Sequence, residues 1–417
     1  MSRAAMIAGF LAAQGFAQKA LTWEELKAKF EATNPTLKAA HDNIDESRAQ
    51  EVTAYLRPNP DFSLTGDGFQ ISRNKGVWQP FSGVFEVPSI SYLHERQHKR
   101  ELRLQSAQEN TEVTISQYAD QERSLIFNLR NAFVQALQAK AVLQNAKQNL
   151  DYWDRELSVN HDRFRAGDLA EVDYDRLVLQ RVQFESDYET ALVNVRTAKI
   201  TLLQLLNDRT PIEGFDVAGP FEYSPELKSL EQFRTIALSA RPDLKAAVQS
   251  VDMARTNYQL AIANGSTDPT FGLWFTHNAS IANPFADNTM GLSVSIPLRI
   301  FDRNQGEKAR TRIDIARNER LRDAAEAQVF NDVDSAYVTL QSGLNLLRPY
   351  KEKYLSLSLA VRDKVAFAYQ HGGASLLDYL DAEKAFRDTQ LAYINLVGSY
   401  LVAAAQMNMA VGREVFE

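Results

Sequence analysis

The chain of 417 residues contains no cysteine. This absence excludes disulfides, thiolate metal sites, cysteine nucleophiles and a lipid-bearing N-terminal cysteine. Lysine and arginine are scattered along the chain and the formal net charge is −7, so nothing supports a nucleic-acid partner. Beyond the N-terminus, no uninterrupted apolar run reaches the ~18 residues of a membrane-spanning helix. Any membrane crossing is therefore expected to use strands.

The first residues have the pattern of a short secretory signal. Arg3 precedes a run of apolar and small residues over 4–16, and Gly15 and Ala17 place small side chains where a signal peptidase reads them. We expect residues 1–17 to be a signal peptide. The alternative is an unprocessed cytoplasmic N-terminus.

The chain contains an internal repeat. Residues 34–40 (Asn-Pro-Thr-Leu-Lys-Ala-Ala) recur as residues 241–247 (Arg-Pro-Asp-Leu-Lys-Ala-Ala), and a glycine followed by Asp-Tyr recurs around Gly167 and Gly372. One repeat spans roughly 200 residues, about the size of a domain. The sequence therefore predicts a first repeat over 18–210, a linker or equatorial segment over 211–229, and a second repeat over 230–417.

Long helices are predicted in both repeats. No proline or glycine occurs between Pro88 and Gly167, which predicts one helix on the order of 115 Å long, followed by a second helix to Thr210. The second repeat shows the same plan over 305–370 and then to about Ala410, with a kink or break expected at Gly343 and Pro349. No globular core can hold such helices, so they are expected to pack side by side or as a tube.

Two strands precede the long helices of each repeat. Apolar and polar residues alternate over about 61–72 and 79–88, and again over about 269–277 and 289–297. Prolines bound each pair, with Pro60 before and Pro88 after the first pair. The predicted fold class is α+β, mainly α.

Four strands cannot close a membrane barrel, because the smallest barrels have about eight and an open edge in lipid leaves backbone groups unpaired. Two copies would supply eight strands and three copies twelve. The alternative at this point is a soluble protein with one small sheet packed on helices.

The sequence resembles the TolC-like outer-membrane efflux protein family over essentially the whole mature chain. The resemblance is carried by Asn34-Pro35 and Arg241-Pro242, by the Pro-Asn-Pro entry at 58–60, and by two tip motifs. The residues of these tip motifs are Tyr369, Gly372, Ser375, Asp378 and Asp381 in the second repeat and Phe164, Gly167, Ala170 and Asp173 in the first.

The resemblance implies a homotrimer whose twelve strands form one outer-membrane β-barrel, continued by a periplasmic α-helical barrel. It implies docking onto a periplasmic adaptor protein, coupling to an inner-membrane pump of RND type, contact with outer-membrane lipid, and export of small molecules or metal ions without a cofactor. The Pro-Asn-Pro entry and the missing anchor cysteine favour the CzcC-like heavy-metal branch. No cluster of histidine or methionine marks a metal pathway, so the cargo stays open.

Asp378 and Asp381 stand three residues apart on one predicted helix, so both can face one side and, in a trimer, surround one axis. The resemblance makes them a periplasmic entrance gate, with Asp173 as a further member and Tyr369 and Tyr379 as weaker ones. The alternative is an ordinary helix start, where aspartates favour the helix dipole. A basic residue common after the tip glycine in the family is replaced by Ala374.

The two tips are the expected adaptor-docking surface. A tight reversal between helices needs a left-handed residue, which already explains the glycines, and small residues also let a partner approach. The predicted docking residues are Gly167, Leu169, Ala170, Gly372, Ser375 and Leu376.

Two other functions remain as alternatives. One is a soluble periplasmic coiled-coil scaffold protein. The other is a zinc metalloprotease, because His94, Glu95 and His98 fit the H-E-x-x-H pattern. That motif lies in a very polar stretch, so we expect no catalytic residue and no metal ligand, with His94 and His98 as the weak exception.

Overall fold

The computed structural model describes residues 20–277 and 285–416. The predicted signal peptide at 1–17 lies outside the described residues. Both halves have the same element order: two helices, two strands and a long helical hairpin. The elements of the first half are α1 (Trp23–Thr33), α2 (Pro35–Tyr55), β1 (Asp61–Asp67), β2 (Phe85–Leu93), α3 (Lys99–Ala166) and α4 (Glu171–Leu205). Those of the second half are α5 (Leu230–Ala240), α6 (Pro242–Asn264), β3 (Thr270–His277), β4 (Asn288–Ser295), α7 (Gln305–Pro349), α8 (Leu355–Gln370) and α9 (Leu376–Val411).

The chain divides into two compact units, each with segments of both halves. The first unit comprises Met1–Lys38, Gln121–Ala240 and Val329–Glu417, and the second comprises Ala39–Asp120 and Arg241–Gln328. The first unit contains helices and the linker. The second contains the sheet, the helices α2 and α6, and the first parts of α3 and α7.

The sheet of the second unit is antiparallel, in the order β1-β2-β3-β4. Phe62 pairs with Ile90, Ile90 with Leu273, and Leu273 with Leu292, so these apolar side chains share one face. All four are exposed, together with Leu64, Phe271, Phe275, Met290 and Val294 on the same face. The opposite face carries mainly small and polar side chains, among them Ser63, Thr65, Ser89, Ser91, Gly272, Thr276, Gly291 and Ser293.

The first pair of strands differs from its predicted bounds. β1 ends at Asp67, and β2 begins at Phe85 and continues through Pro88 to Leu93, so residues 68–84 are turns and bends with one bridge between Asn74 and Val77. The prediction that Pro88 ends the second strand is wrong. Pro88 pairs with Leu64 of β1, and the pairing of β2 with β3 skips residues 87 and 88, where the missing proline N–H interrupts the ladder. The long helix α3 consequently begins at Lys99, ten residues later than expected.

Helix termini follow local sequence signals in several places. Thr22 and Glu25 form a capping box at α1, and Pro242 occupies the first position of α6. Pro349 ends α7 and is followed by a π turn at Tyr350–Tyr354, which confirms the predicted irregularity there. Gly343 does not break α7, which is continuous around it.

The linker packs onto the helices of the first unit. It contains a 3₁₀ turn at Ile212–Gly214, and its Phe215 and Val217 are buried against Leu26, Phe30 and Leu129. Asp216 accepts a hydrogen bond from Lys140 Nζ at 2.9 Å and forms an ion pair with Lys199 Nζ at 3.1 Å. The segment predicted as a linker is therefore an ordered part of this unit.

One helix, α9, is long and apolar enough by composition to cross a membrane. The sequence shows no uninterrupted apolar run of the ~18 residues of a membrane-spanning helix after the N-terminus. The second half of α9, over 389–411, nevertheless contains no charged residue. Half of its most apolar window is buried, however, with Val397, Tyr400 and Met407 inside the first unit. The composition of α9 is that of a core helix.

Candidate functional site

The two hairpin tips of the first unit end in the same backbone geometry. Gly167 and Gly372 have φ angles of 84° and 75°, in the left-handed region that glycine adopts most easily. After Gly167, Asp168 N donates to Arg163 O at 2.9 Å, closing the end of α3. The left-handed φ angles explain why a glycine stands at each tip.

An aromatic stack joins the two hairpins. The Trp153 ring of α3 stacks on Phe184 of α4 at 5.0 Å and on Tyr379 of α9 at 6.1 Å, and Tyr379 stacks on Tyr369 of α8 at 5.1 Å between ring centroids. Leu376 is buried in the same cluster and Leu169 packs against it. Trp153 and Tyr379 are fully buried, so this cluster sets the spacing of the two hairpins.

A polar link lies beside the stack. Tyr369 Oη donates to Asn160 Oδ1 at 3.5 Å, and the Arg163 guanidinium lies 5.3 Å from the Tyr369 ring centroid. Both contacts tie α3 to α8 just above the turns. They would have to break if the tips separated.

The predicted gate carboxylates have different surroundings. Asp378 completes a capping box with Ser375, because its carboxylate accepts from Ser375 N at 3.0 Å and from Ser375 Oγ at 2.7 Å. These hydrogen bonds, the side-chain one first, lower the pKa of Asp378. Asp381 is exposed one turn further along α9, and Asp173 of α4 lies 3.4 Å from Arg176. Asp378 thus caps the start of α9, as the alternative of an ordinary helix start predicts. It also stays exposed on the same helix as Asp381.

The predicted docking residues separate into two groups. Gly167, Ala170, Gly372 and Ser375 are exposed at the tips, whereas Leu376 is buried and Leu169 is half-buried in the aromatic cluster. The side chains of Leu169 and Leu376 therefore hold the tips together and are not presented to a partner. Exposed apolar side chains at the tips include Val172 and Leu377, which were not predicted from the sequence.

Glu383 is a buried carboxylate near the tip that the sequence argument also missed. It is 3% exposed, and its Oε1 lies 3.8 Å from Arg362 Nε without a hydrogen-bond partner among the described residues. Burial raises the pKa of Glu383 to about 7, while Arg362 and the Tyr152 hydroxyl partly oppose that rise. The signal in the sequence is one charged residue on the face of α9 that also carries Tyr379 and Phe386.

Amide side chains line the contact between α3 and α9 above the stack. Gln138 Nε2 donates to Asn395 Oδ1 at 2.9 Å, and Asn145 Nδ2 donates to Gln390 Oε1 at 2.8 Å. Gln138, Asn145 and Asn395 border a cavity of about 600 Å³ between α3, α4 and α9. Water can replace each of these amide bonds at small cost, so this contact can change without a large penalty.

The His94 to His98 segment does not have zincin geometry. It forms the turn between β2 and α3, and both Gln97 and His98 have positive φ angles, whereas that motif needs both histidines on one helix. Glu95 forms a two-point ion pair with Arg103 at 2.5 and 2.8 Å. The alternative interpretation of His94 and His98 as metal ligands of a zincin has no support in this backbone.

A different set of ligand-type side chains occurs on α2. Atoms of His41, Asp42 and Asp45 lie within 4.8 Å of one another, all exposed, and Asp45 is also 3.2 Å from Arg48. Exposed groups of this kind are common on helix surfaces. The set does not define a metal centre.

Comparison with known proteins identifies the family. The model of the family described as "Outer membrane efflux protein" matches residues 28–208 and 234–413. The cobalt-zinc-cadmium resistance protein CzcC of Cupriavidus metallidurans is 23% identical over 402 residues, which cover 94% of this chain and 90% of that protein. Among solved structures, CusC has a TM-score of 0.77 at 18% identity, with 94% of this chain and 92% of CusC covered. VceC of Vibrio cholerae has a TM-score of 0.76 at 14% identity, with 94% and 97% covered. The chain therefore belongs to the outer membrane efflux protein family and is an outer-membrane efflux channel with a large periplasmic helical portion.

Proposed function

We propose that three copies of this chain join their four-stranded sheets into one 12-stranded barrel in the outer membrane, continued by a periplasmic helical barrel. The observation that carries this proposal is the sheet itself, which has one exposed apolar face, one face of mainly small and polar side chains, and edges at β1 and β4. In lipid, an unpaired edge leaves backbone groups unsatisfied, so the edges need partners from other copies. The apolar face then meets lipid and the polar face lines a channel.

A soluble coiled-coil scaffold does not account for this sheet. A soluble protein rarely exposes a large contiguous apolar patch without a partner, and here the exposed apolar positions extend across all four strands. The apolar face therefore favours the channel over the scaffold.

Cysteine cross-linking tests the joined edges, because the natural chain has no cysteine. Ser63→Cys on β1 is combined in turn with Thr289→Cys, Ser293→Cys and Ser295→Cys on β4, all on the polar face. Within one sheet, β1 and β4 are three strand spacings of about 4.8 Å apart, beyond the ~7 Å between Cα atoms that a disulfide allows. We expect covalent dimers and trimers and no larger species for at least one pair, with each single-cysteine variant as control. Cross-linked ladders beyond a trimer, or no cross-link for any pair, would contradict the proposal.

We infer that the exposed tips dock onto a periplasmic adaptor protein, which couples the channel to an inner-membrane pump of RND type. Gly167, Ala170, Gly372 and Ser375 leave space for a close approach, and Val172 and Leu377 supply exposed apolar surface. Val172→Asp with Leu377→Asp should abolish co-purification with the adaptor, whereas Leu179→Asp, which replaces an exposed residue further along α4, should not. Equal recovery of the adaptor with both variants would contradict the tip as docking surface.

We propose that Asp381, with Asp378 and Asp173, constricts the periplasmic entrance and favours cations over anions. Asp381→Ala combined with Asp378→Ala should raise the conductance of single channels in planar bilayers and weaken their block by multivalent cations. Glu185→Ala, which removes an exposed carboxylate of α4, is the control. Unchanged conductance and unchanged block would remove these aspartates from the gate. The cargo within this proposal is a small molecule or a metal ion, the class of the cations in the name of CzcC.

A further inference from the structure

The apolar face of the sheet extends beyond the end of one strand. On β4, the exposed apolar residues Met290, Leu292 and Val294 alternate with small or polar ones, and β4 ends at Ser295. The alternation nevertheless continues outside the strand through Ile296, Leu298 and Ile300, followed by Phe301. These four side chains are 54%, 80%, 61% and 89% exposed.

The neighbouring strands β3 and β2 become polar at this level. Val294 pairs with Phe271 of β3, and β3 is preceded by Asp268, which binds Lys99 Nζ at 2.5 Å and Arg96 N at 2.9 Å. β2 is followed by His94, whose N donates to Pro269 O at 2.9 Å. The segment over 296–301 therefore carries large apolar side chains beyond the point where the chain next to β3 carries charged groups.

The backbone of this segment is ordered around its exposed side chains. Gln305 Nε2 donates to Phe301 O at 3.1 Å, and Asn304 Nδ2 donates to Ala261 O of α6 at 2.8 Å. Ile300 N also donates to Leu298 O at 2.9 Å. The apolar side chains are therefore held outward by a fixed turn.

Two arginines accompany the apolar residues. Arg303 Nε donates to Arg299 O at 3.3 Å, and Arg299 Nε is buried without a hydrogen-bond partner among the described residues. Neither guanidinium forms an ion pair within the described part of the chain. Exposed apolar side chains next to unpaired arginines are typical of segments that lie at the boundary between lipid headgroups and acyl chains.

The length of β4 supports the same conclusion. β4 has 8 residues, whereas a tilted membrane-spanning strand needs about 9–11. The continuation to Ile300 supplies the missing apolar length. The lipid that meets β4 would therefore also cover this exposed segment. This explains the exposure better than a separate protein partner does.

We propose that residues 296–303 form an interfacial anchor, with Leu298, Ile300 and Phe301 in the periplasmic leaflet of the outer membrane and Arg299 and Arg303 on anionic phospholipid phosphates. The anchor rests on the proposed function, in which the apolar face of the sheet meets lipid. It would fix the height of the channel in the membrane at the point where strand gives way to helix.

Spin labels on single cysteines test the depth of this segment in the full-length protein reconstituted into vesicles of phosphatidylcholine and phosphatidylglycerol. Labels replace Leu298 or Phe301, with Leu273 as the reference on the apolar face and Ser356 of α8 as the aqueous reference. We expect Leu298→Cys and Phe301→Cys to be more accessible to oxygen than to a polar nickel reagent, at a depth shallower than Leu273→Cys. Accessibility equal to that of Ser356→Cys, or exclusion of both reagents by a second copy of the chain, would overturn the anchor. Polar accessibility of Leu273→Cys would instead overturn the proposed function.

Native mass spectrometry of the intact protein tests the arginines. Arg299→Gln with Arg303→Gln should lower retention of phosphatidylglycerol relative to phosphatidylcholine by about fivefold per arginine. Arg310→Gln with Arg322→Gln, which removes arginines already paired with Glu307 and Asp323, should leave the ratio unchanged. Equal retention in the first variant would overturn the phosphate contact.

Discussion

Replacing Glu383 with glutamine should remove a pH dependence from the packing of the hairpin tips. The carboxylate is buried where α8, α9 and α3 meet, and burial raises its pKa to about 7. The charged or titratable groups around it are Tyr152 and Glu156 of α3, Arg362 of α8, Tyr379 and Arg387 of α9, and Asp187 of α4, which lies 3.3 Å from Arg387. Burial also raises the pKa of Tyr152 to about 12 and raises the pKa of Glu156.

The direction of the effect follows from proton linkage. The packed tip binds the Glu383 proton more tightly than an opened tip, in which the carboxylate is hydrated and has its usual pKa of 4.5. The stabilisation is fully present below that value and is lost as the pH rises through about 7. Between about pH 5.5 and 8.5, these two pKa values give a loss of about 2 kcal/mol, or about thirtyfold in the opening equilibrium. Mild acid should therefore hold the tips together.

Hydrogen exchange followed by mass spectrometry measures this opening on peptides from the start of α9. After correction for intrinsic exchange rates, the natural protein should lose protection by about thirtyfold between pH 5.5 and 8.5, and Glu383→Gln should show no such change. Asp388→Asn is the control, since Asp388 is exposed on the same helix and pairs with Lys384. Equal pH dependence in the natural protein and Glu383→Gln would refute the reasoning.

Two further predictions concern the tip and the base of the sheet. Gly372→Ala should lower the free energy of unfolding by about 1 kcal/mol because of the left-handed backbone, and Gly373→Ala, which meets only ordinary contacts, should change it little; equal denaturation midpoints in detergent would contradict this. Lys99→Met should cost about 3 kcal/mol by leaving Asp268 without its cation, and adding Asp268→Asn should recover part of that loss, so a double variant as unstable as Lys99→Met would disprove the coupling.

The sequence predicts the element order well because long proline-free runs and period-two alternation are local signals. The bounds of β2 could not be predicted in the same way. A proline usually ends a strand, and only the pairing of β2 with β1 and β3 shows that the missing N–H of Pro88 coincides with a gap in the ladder. The bounds of β2 depend on its register with strands that are distant in sequence, and no local sequence pattern encodes that register.

In the candidate site, too, the sequence predicts the local features but not the packing between distant segments. Gly167 and Gly372 could be placed at the tips because a tight reversal needs a left-handed residue. The burial of Leu376 and Glu383 depends on how the hairpin of α8 and α9 packs against that of α3 and α4. Such packing between segments some 200 residues apart leaves little trace in the periodicity of either helix, which explains why Glu383 was missed.

Single-particle electron microscopy of the full-length protein in detergent tests the central claim most directly. We predict a particle with threefold symmetry, twelve strands inside the detergent belt and a helical tube extending from it. Monomers with an open four-stranded sheet, or particles of another symmetry, would contradict the account.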